Sequence, residues 1–147
     1  MDRRIHLLND FFAGYEQRFN IFLKGESLEV ENTARSFSAC FIEASPIGVN
    51  CGQNDRQFRS MIPKGYEFYR SIGITAMDIL SKNITMLDDF HAMVKVHWNC
   101  RFTRKDDVKG KIEFDVIYLL QTTVDSPRIF AYITGDEHAA LKENGLI

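Results

Sequence analysis

Little in this chain points toward a membrane, a nucleic acid or a metal. No stretch of the 147 residues approaches the roughly 20 consecutive apolar residues needed to cross a bilayer, and the first residues, MDRRIHLLNDFF, lack the apolar core of a signal peptide. No membrane partner is predicted, and a cytoplasmic location is. Lysine and arginine number 18 against 20 acidic residues, giving a net charge of -2 with the basic residues scattered. That leaves no electropositive stripe to neutralise a phosphate backbone, which argues against a nucleic acid partner. The three cysteines, Cys40, Cys51 and Cys100, form an odd set without a Cys-x-x-Cys pair, so neither a disulfide framework nor a structural zinc site is predicted. No His-x-His, His-Glu-x-x-His or clustered carboxylates at ligand spacing occur; the prediction is no metal and no cofactor. Internal repeats, low-complexity tracts and Gly/Ser linkers are missing too, which predicts a single domain over residues 1–147.

What is present is apolar material, 45% of residues, with 12% aromatic, enough to fill one core. From Asp2 to Lys24, Ile5, Leu8, Phe12, Tyr15, Phe19 and Phe22 recur at three- or four-residue spacing and predict a first helix ended by Gly25. Ser27 suits a cap for a second, in which Val30, Ala34, Phe37 and Phe41 continue the stripe. The segment IEASPIGVNCG then reads as irregular chain with short extended pieces. A third helical region carries Phe58, Met61, Ile62, Tyr66 and Tyr69, with Pro63 placed to kink or split it.

After Gly73 the period changes to two. Four strands are predicted, about Ile74 to Met86, His91 to Thr103, Gly110 to Thr122 and Arg128 to Thr134, joined by short turns at LDD, RKDDVKG and VDSP into an antiparallel meander. The tail closes with a short helix for which Thr134 and Glu137 fit a capping box and Gly145 the stop. Alternation divides the segment AMVKVHWNCRF: Val94, Val96, Trp98, Cys100 and Phe102 share one face, His97 and Asn99 the other. Ile112, Phe114, Val116, Tyr118 and Leu120 do the same in the next strand, so these apolar sets should turn toward the helices. Outside, Met93, Ile117 and Leu119 interrupt a polar face. His97 there is a solvated or cross-strand paired side chain, and Cys100 inside a small buried hydrophobe.

Helices first and strands afterwards make an α+β plan, three N-terminal helices covering a cone-shaped, curved antiparallel sheet with a short C-terminal helix. With GESLE after the first helix and RIFAYITGDE in the last strand, this order resembles the nuclear transport factor-like, or SnoaL-like, superfamily of ketosteroid isomerases, polyketide cyclases and scytalone dehydratases. The resemblance implies an isomerase-like alignment in which Ile42-Glu43-Ala44-Ser45-Pro46-Ile47-Gly48 stands for the segment bearing the catalytic carboxylate. Ser45 occupies the acid's position, and Glu43 is the nearest carboxylate to replace it. Asp115-Val116-Ile117-Tyr118 stands for the strand motif of the second carboxyl, which places Tyr118 at the hydrogen-bond donor. The helix-one donor position falls on Arg18, with Tyr15 one turn earlier.

The candidate catalytic residues are therefore Glu43 and Tyr118, and the candidate ligand-binding residues Tyr15, Tyr66, Trp98, Cys100 and Phe114. Glu43 is either such a base or a surface loop carboxylate; Trp98, Tyr66 and Tyr118 are either pocket walls or core aromatics. The predicted function is a pocket for a small, largely apolar molecule, with isomerase-, cyclase- or dehydratase-like proton transfer beside a carbonyl, or else a non-catalytic protein-interaction module. The resemblance also implies a homodimer through the outer sheet face.

Overall fold

The computed structural model describes residues 2–26, 29–122 and 126–147. The chain folds as the predicted α+β cone, a curved and unclosed sheet covered on its concave side by helices. Helix α1 (Arg3–Leu23) starts where the Asp2 carboxylate accepts a hydrogen bond from the Arg4 amide at 2.9 Å, and it buries Leu8, Phe12 and Leu23. Gly25 ends it with φ of 85°, as its missing side chain allows.

The second helix is shorter than the apolar stripe suggests. Helix α2 covers only Val30–Ala34, and Phe37 and Phe41 belong instead to strand β1 (Phe37–Ser45). A spacing of four is common to both periods, one helical turn or two strand repeats, so these two phenylalanines point inward in either conformation. Pairing on both sides decides for the strand. β1 runs antiparallel to β2 (Gly48–Gln53) and parallel to β6 (Arg128–Ile133). The segment predicted to be irregular is thus a hairpin, in which Ser45 faces Gly48 across Pro46 and Ile47. The Ser27 cap and part of the VDSP turn lie outside the described residues.

Helix α3 (Arg56–Ser71) begins at Asp55, whose side chain accepts from the Phe58 amide at 2.9 Å, and runs through Pro63 without splitting. β3 (Ile74–Met86) and β4 (His91–Thr103) match the predicted spans, while β5 (Lys109–Gln121) begins one residue earlier than predicted. The sheet has six strands in the order β2-β1-β6-β5-β4-β3, so the meander acquires a hairpin joined through one parallel pair. Helix α4 (Glu137–Glu143) is capped by Asp136, which accepts from the Ala139 amide at 3.0 Å, in place of the predicted Thr134. A capping side chain accepts from the second or third amide of its helix; Thr134 is two residues too early, and its hydroxyl donates to the Gly135 carbonyl instead.

The predicted register holds. Val94, Val96, Trp98, Cys100 and Phe102 of β4 are buried beneath the helices, opposite Tyr118, Val116, Phe114, Ile112 and Gly110 of β5. β3 is an edge strand that meets α1 in place of a seventh strand: Asn20 accepts from the Met77 amide at 2.8 Å and donates to the Met77 carbonyl at 2.6 Å, and the Glu16 carboxylate accepts from the Ile79 amide. Register shifts near Ala76 and Leu80 bend the strand over the helix.

Candidate functional site

The curvature of the sheet leaves space that the side chains do not fill. A cavity of about 640 Å³ lies between the concave face, α1, α3 and the start of α4, inside the range of roughly 300–1,000 Å³ common to small-molecule sites. Its walls are mainly apolar, from Phe19, Phe37 and Phe58 to Met77, Ile112 and Val116. All five tyrosines of the chain, Tyr15, Tyr66, Tyr69, Tyr118 and Tyr132, line it. The seven residues singled out from sequence, Glu43, Tyr118, Tyr15, Tyr66, Trp98, Cys100 and Phe114, all lie on this one wall.

The deep side is built on β4, β5 and α1. The Trp98 indole N–H donates to the Tyr118 hydroxyl at 3.1 Å in a buried contact. Tyr15 packs against both, with ring centroids 6.3 Å from Trp98 and 6.1 Å from Tyr118, and Phe12 supports Tyr118 from behind at 5.2 Å. The Tyr118 oxygen accepts this bond, and its own O–H proton has no acceptor among the described residues. Burial raises the Tyr118 pKa well above 10, so the group is a neutral donor at physiological pH. Burial likewise raises Tyr15, with the neighbouring Tyr118 adding to the shift. Cys100 is pushed up to about 12 by burial, and the nearby Glu137 carboxylate adds to it, which keeps the thiol protonated and inert.

The rim carries the acids. Glu43 sits on β1, not in irregular chain, and its side chain is exposed at the cavity edge, in parallel register with Tyr132 of β6. Burial, then the adjacent Glu43 carboxylate, drive the Tyr132 pKa strongly upward. On the other side the Tyr69 hydroxyl of α3 donates to the Glu137 carboxylate at the start of α4, which ties the C-terminal helix across the opening. Ser45 lines the same rim, its oxygen accepting from the Ile47 amide at 3.3 Å.

Sequence patterning missed Tyr69, Tyr132 and Glu137. β6 contains a bulge: Leu120 faces Ile129 and Leu119 faces Ala131, so Phe130 is an extra residue and alternation read straight through the strand assigns faces wrongly. Glu137 had an apparent role completing a capping box with Thr134, a box that the Asp136 cap replaces. The structure places Arg18 outside the cavity wall, where its Nη2 donates to the Ser36 hydroxyl at 2.8 Å. Among the described residues, no group of three or more His, Cys, Asp and Glu is arranged to hold a metal ion, and no helix is long and apolar enough to cross a membrane.

Residues 6–137 match the profile of a family described as NTF2-like protein (DUF6841). Solved structures share the fold at low identity. An NTF-2 like protein from Shewanella oneidensis MR-1 superposes with a TM-score of 0.64 at 18% identity, over 90% of this chain and 98% of that one. A putative scytalone dehydratase from Novosphingobium aromaticivorans gives 0.64 at 10% identity, over 88% and 81%. A ketosteroid isomerase-like protein from Erwinia carotovora atroseptica gives 0.56 at 13%, over 85% and 92%. No curated protein matches the chain.

Proposed function

The chain belongs to the NTF2-like protein family, and from that premise we propose that its cavity binds a small, largely apolar molecule and acts on it by proton transfer beside a carbonyl group. The observation that carries this reading is the free Tyr118 proton in an open, aromatic-walled cavity of about 640 Å³ with Glu43 at its edge. An interaction module would be served as well by a filled cone, and the 12 phenylalanines could have filled it. The fold's known company, an isomerase-like protein and a putative dehydratase, suits the same chemistry.

In this mechanism the Glu43 carboxylate removes a proton from the carbon next to the carbonyl, and the electron pair moves onto the carbonyl oxygen as Tyr118 donates its hydrogen bond there. The Trp98 N–H, bonded to the Tyr118 oxygen, polarises that donor further. Return of the proton to another carbon completes an isomerisation; departure of a β-hydroxyl as water, with that proton, completes a dehydration. The test uses 2-tetralone in deuterated water, following loss of its α-protons by NMR, beside thermal shift as a measure of binding. Glu43→Gln should keep the shift and lose most of the exchange, and Tyr118→Phe should slow exchange by about tenfold or more. If ketones, enols and phenols all leave the melting temperature unmoved, the cavity is not a binding site.

A second copy of the chain is proposed for the outer sheet face. Ile42, Ala131, Leu119 and Met93 stand in one cross-strand row over β1, β6, β5 and β4, and Ile133 and Ile117 form the next. Beside this strip Lys95 and His97 of β4 stand against Asp115 and Glu113 of β5, with Lys111 beyond, so a two-fold partner can set its basic row against the acidic one. Light scattering should give twice the chain mass, and Leu119→Glu should reduce it to one. A wild-type monomer at micromolar concentration rejects the pairing.

A further inference from the structure

At the junction of α1, α2 and α3, several polar groups are buried and short of partners. Thr33, 4% exposed, lines the cavity, and among the described residues its hydroxyl has the neighbouring Tyr66 hydroxyl beside it and no other polar partner. Tyr66, 8% exposed, reaches the same spot from α3, held over Phe19 and Phe22 with its hydroxyl next to Thr33. Behind them stands Arg18. One arm of its guanidinium is bonded to Ser36, but Nε is buried without a partner, and no carboxylate is among the groups that act on it. Guanidinium keeps its charge at any physiological pH, so this half-buried cation has no counter-ion among the described residues.

The rest of the cavity makes that arrangement directional. The three carboxylates among its lining residues are all engaged: Glu43 against Tyr132, Glu137 with Tyr69, Asp136 on the Ala139 amide. Among the described residues the inner end offers hydroxyl donors with a positive charge behind them, and no anion. A half-buried cation without an opposite charge costs free energy that an incoming anion relieves, and two hydroxyls that have only each other can both donate to the same oxygen atoms.

We propose that this inner end is a subsite for an acidic oxygen group, such as a carboxylate, phenolate or sulfonate, borne by an otherwise apolar ligand. Thr33 and Tyr66 donate hydrogen bonds to it and Arg18 supplies the opposite charge. The proposal rests on the cavity being a small-molecule site and narrows the class of molecule it takes.

Two dyes with one aromatic frame test it: 8-anilinonaphthalene-1-sulfonate carries the anion, and N-phenyl-1-naphthylamine does not. Trp98 is the single tryptophan and forms part of the cavity wall, so energy transfer from it reports a dye inside. The wild-type protein should bind the sulfonate about tenfold more tightly than the neutral dye. Arg18→Met should bring the two to parity, Arg18→Lys should keep most of the preference, and Thr33→Val should weaken the sulfonate alone. If Arg18→Met does not fold, the Thr33→Val result decides. Equal binding of both dyes by the wild type, or a preference unchanged in Arg18→Met or Thr33→Val, overturns the subsite and leaves the cavity reading standing. Failure of both dyes to receive energy from Trp98 overturns the cavity reading itself.

Discussion

Strands β4 and β5 carry a cross-strand polar contact on each face, and the two contacts live under different physics. Inside, Trp98 donates to Tyr118 where water is scarce and the neighbours are aromatic. Outside, His97 bridges Asp115 at 2.7 Å and Glu113 at 2.9 Å, with all three side chains more than a third exposed. The inner pair is neutral and geometric. The outer trio is charged, screened by solvent and dependent on pH. Alternation alone assigns each residue to its face; the medium on that face then decides what the contact contributes.

The difference can be broken from the inside first. Trp98→Ala removes the largest fully buried side chain, and it should lower unfolding stability by about 3–5 kcal/mol in a urea titration. Tyr118→Phe keeps the ring and deletes only the acceptor of the indole N–H, which predicts a loss of about 1–2 kcal/mol, unaffected by 1 M salt. The smallest effect belongs to the outer face. Both carboxylates hold the His97 pKa above its ordinary 6.5, Glu113 most strongly, and the histidine in turn lowers Glu113 and Asp115 below 4.5 and 3.8. A raised histidine value means stabilisation that is complete below 6.5 and disappears as pH climbs through the folded value; the lowered acids lose theirs as pH falls through their own folded values. The urea midpoints of wild type and His97→Asn should therefore differ most near pH 5–6 and converge by about pH 9, and salt should shrink the gap. A gap that widens with pH would contradict the proposed contact.

The legible parts of this molecule are those where one period applies over a long run. β3 and β4 have the predicted spans, and β4 sorts its residues into faces without exception, because thirteen residues of strict alternation leave no competing register. Illegible parts fall where two periods coincide or one residue breaks the count. Phe37 and Phe41 satisfy helix and strand alike, and only the pairing with β2 and β6, far along the chain or across a turn, selects the strand. Phe130 breaks the count in β6 and hides Tyr132 from any pattern read along the sequence. At the cavity, residues lying on regular strands or on the first helix's stripe were visible as candidates. Thr33 and Glu137 were not, since a threonine in a short helix and an acid in a first helical turn have ordinary local uses.

The hydrogen bonds from Asn20 and Glu16 to the β3 backbone bear on how far copies of this sheet could grow. A sheet with two bare edges can add strands head to tail without limit, the geometry of a fibre. Here the β3 edge is covered at Met77 and Ile79 by side chains that imitate a neighbouring strand, while its exposed stretch over residues 80–83 and the β2 edge carry no such cover among the described residues. Strand addition at β3 is therefore confined to its outer half, and Asn20→Leu, by baring Met77, would lengthen the stretch open to a second copy.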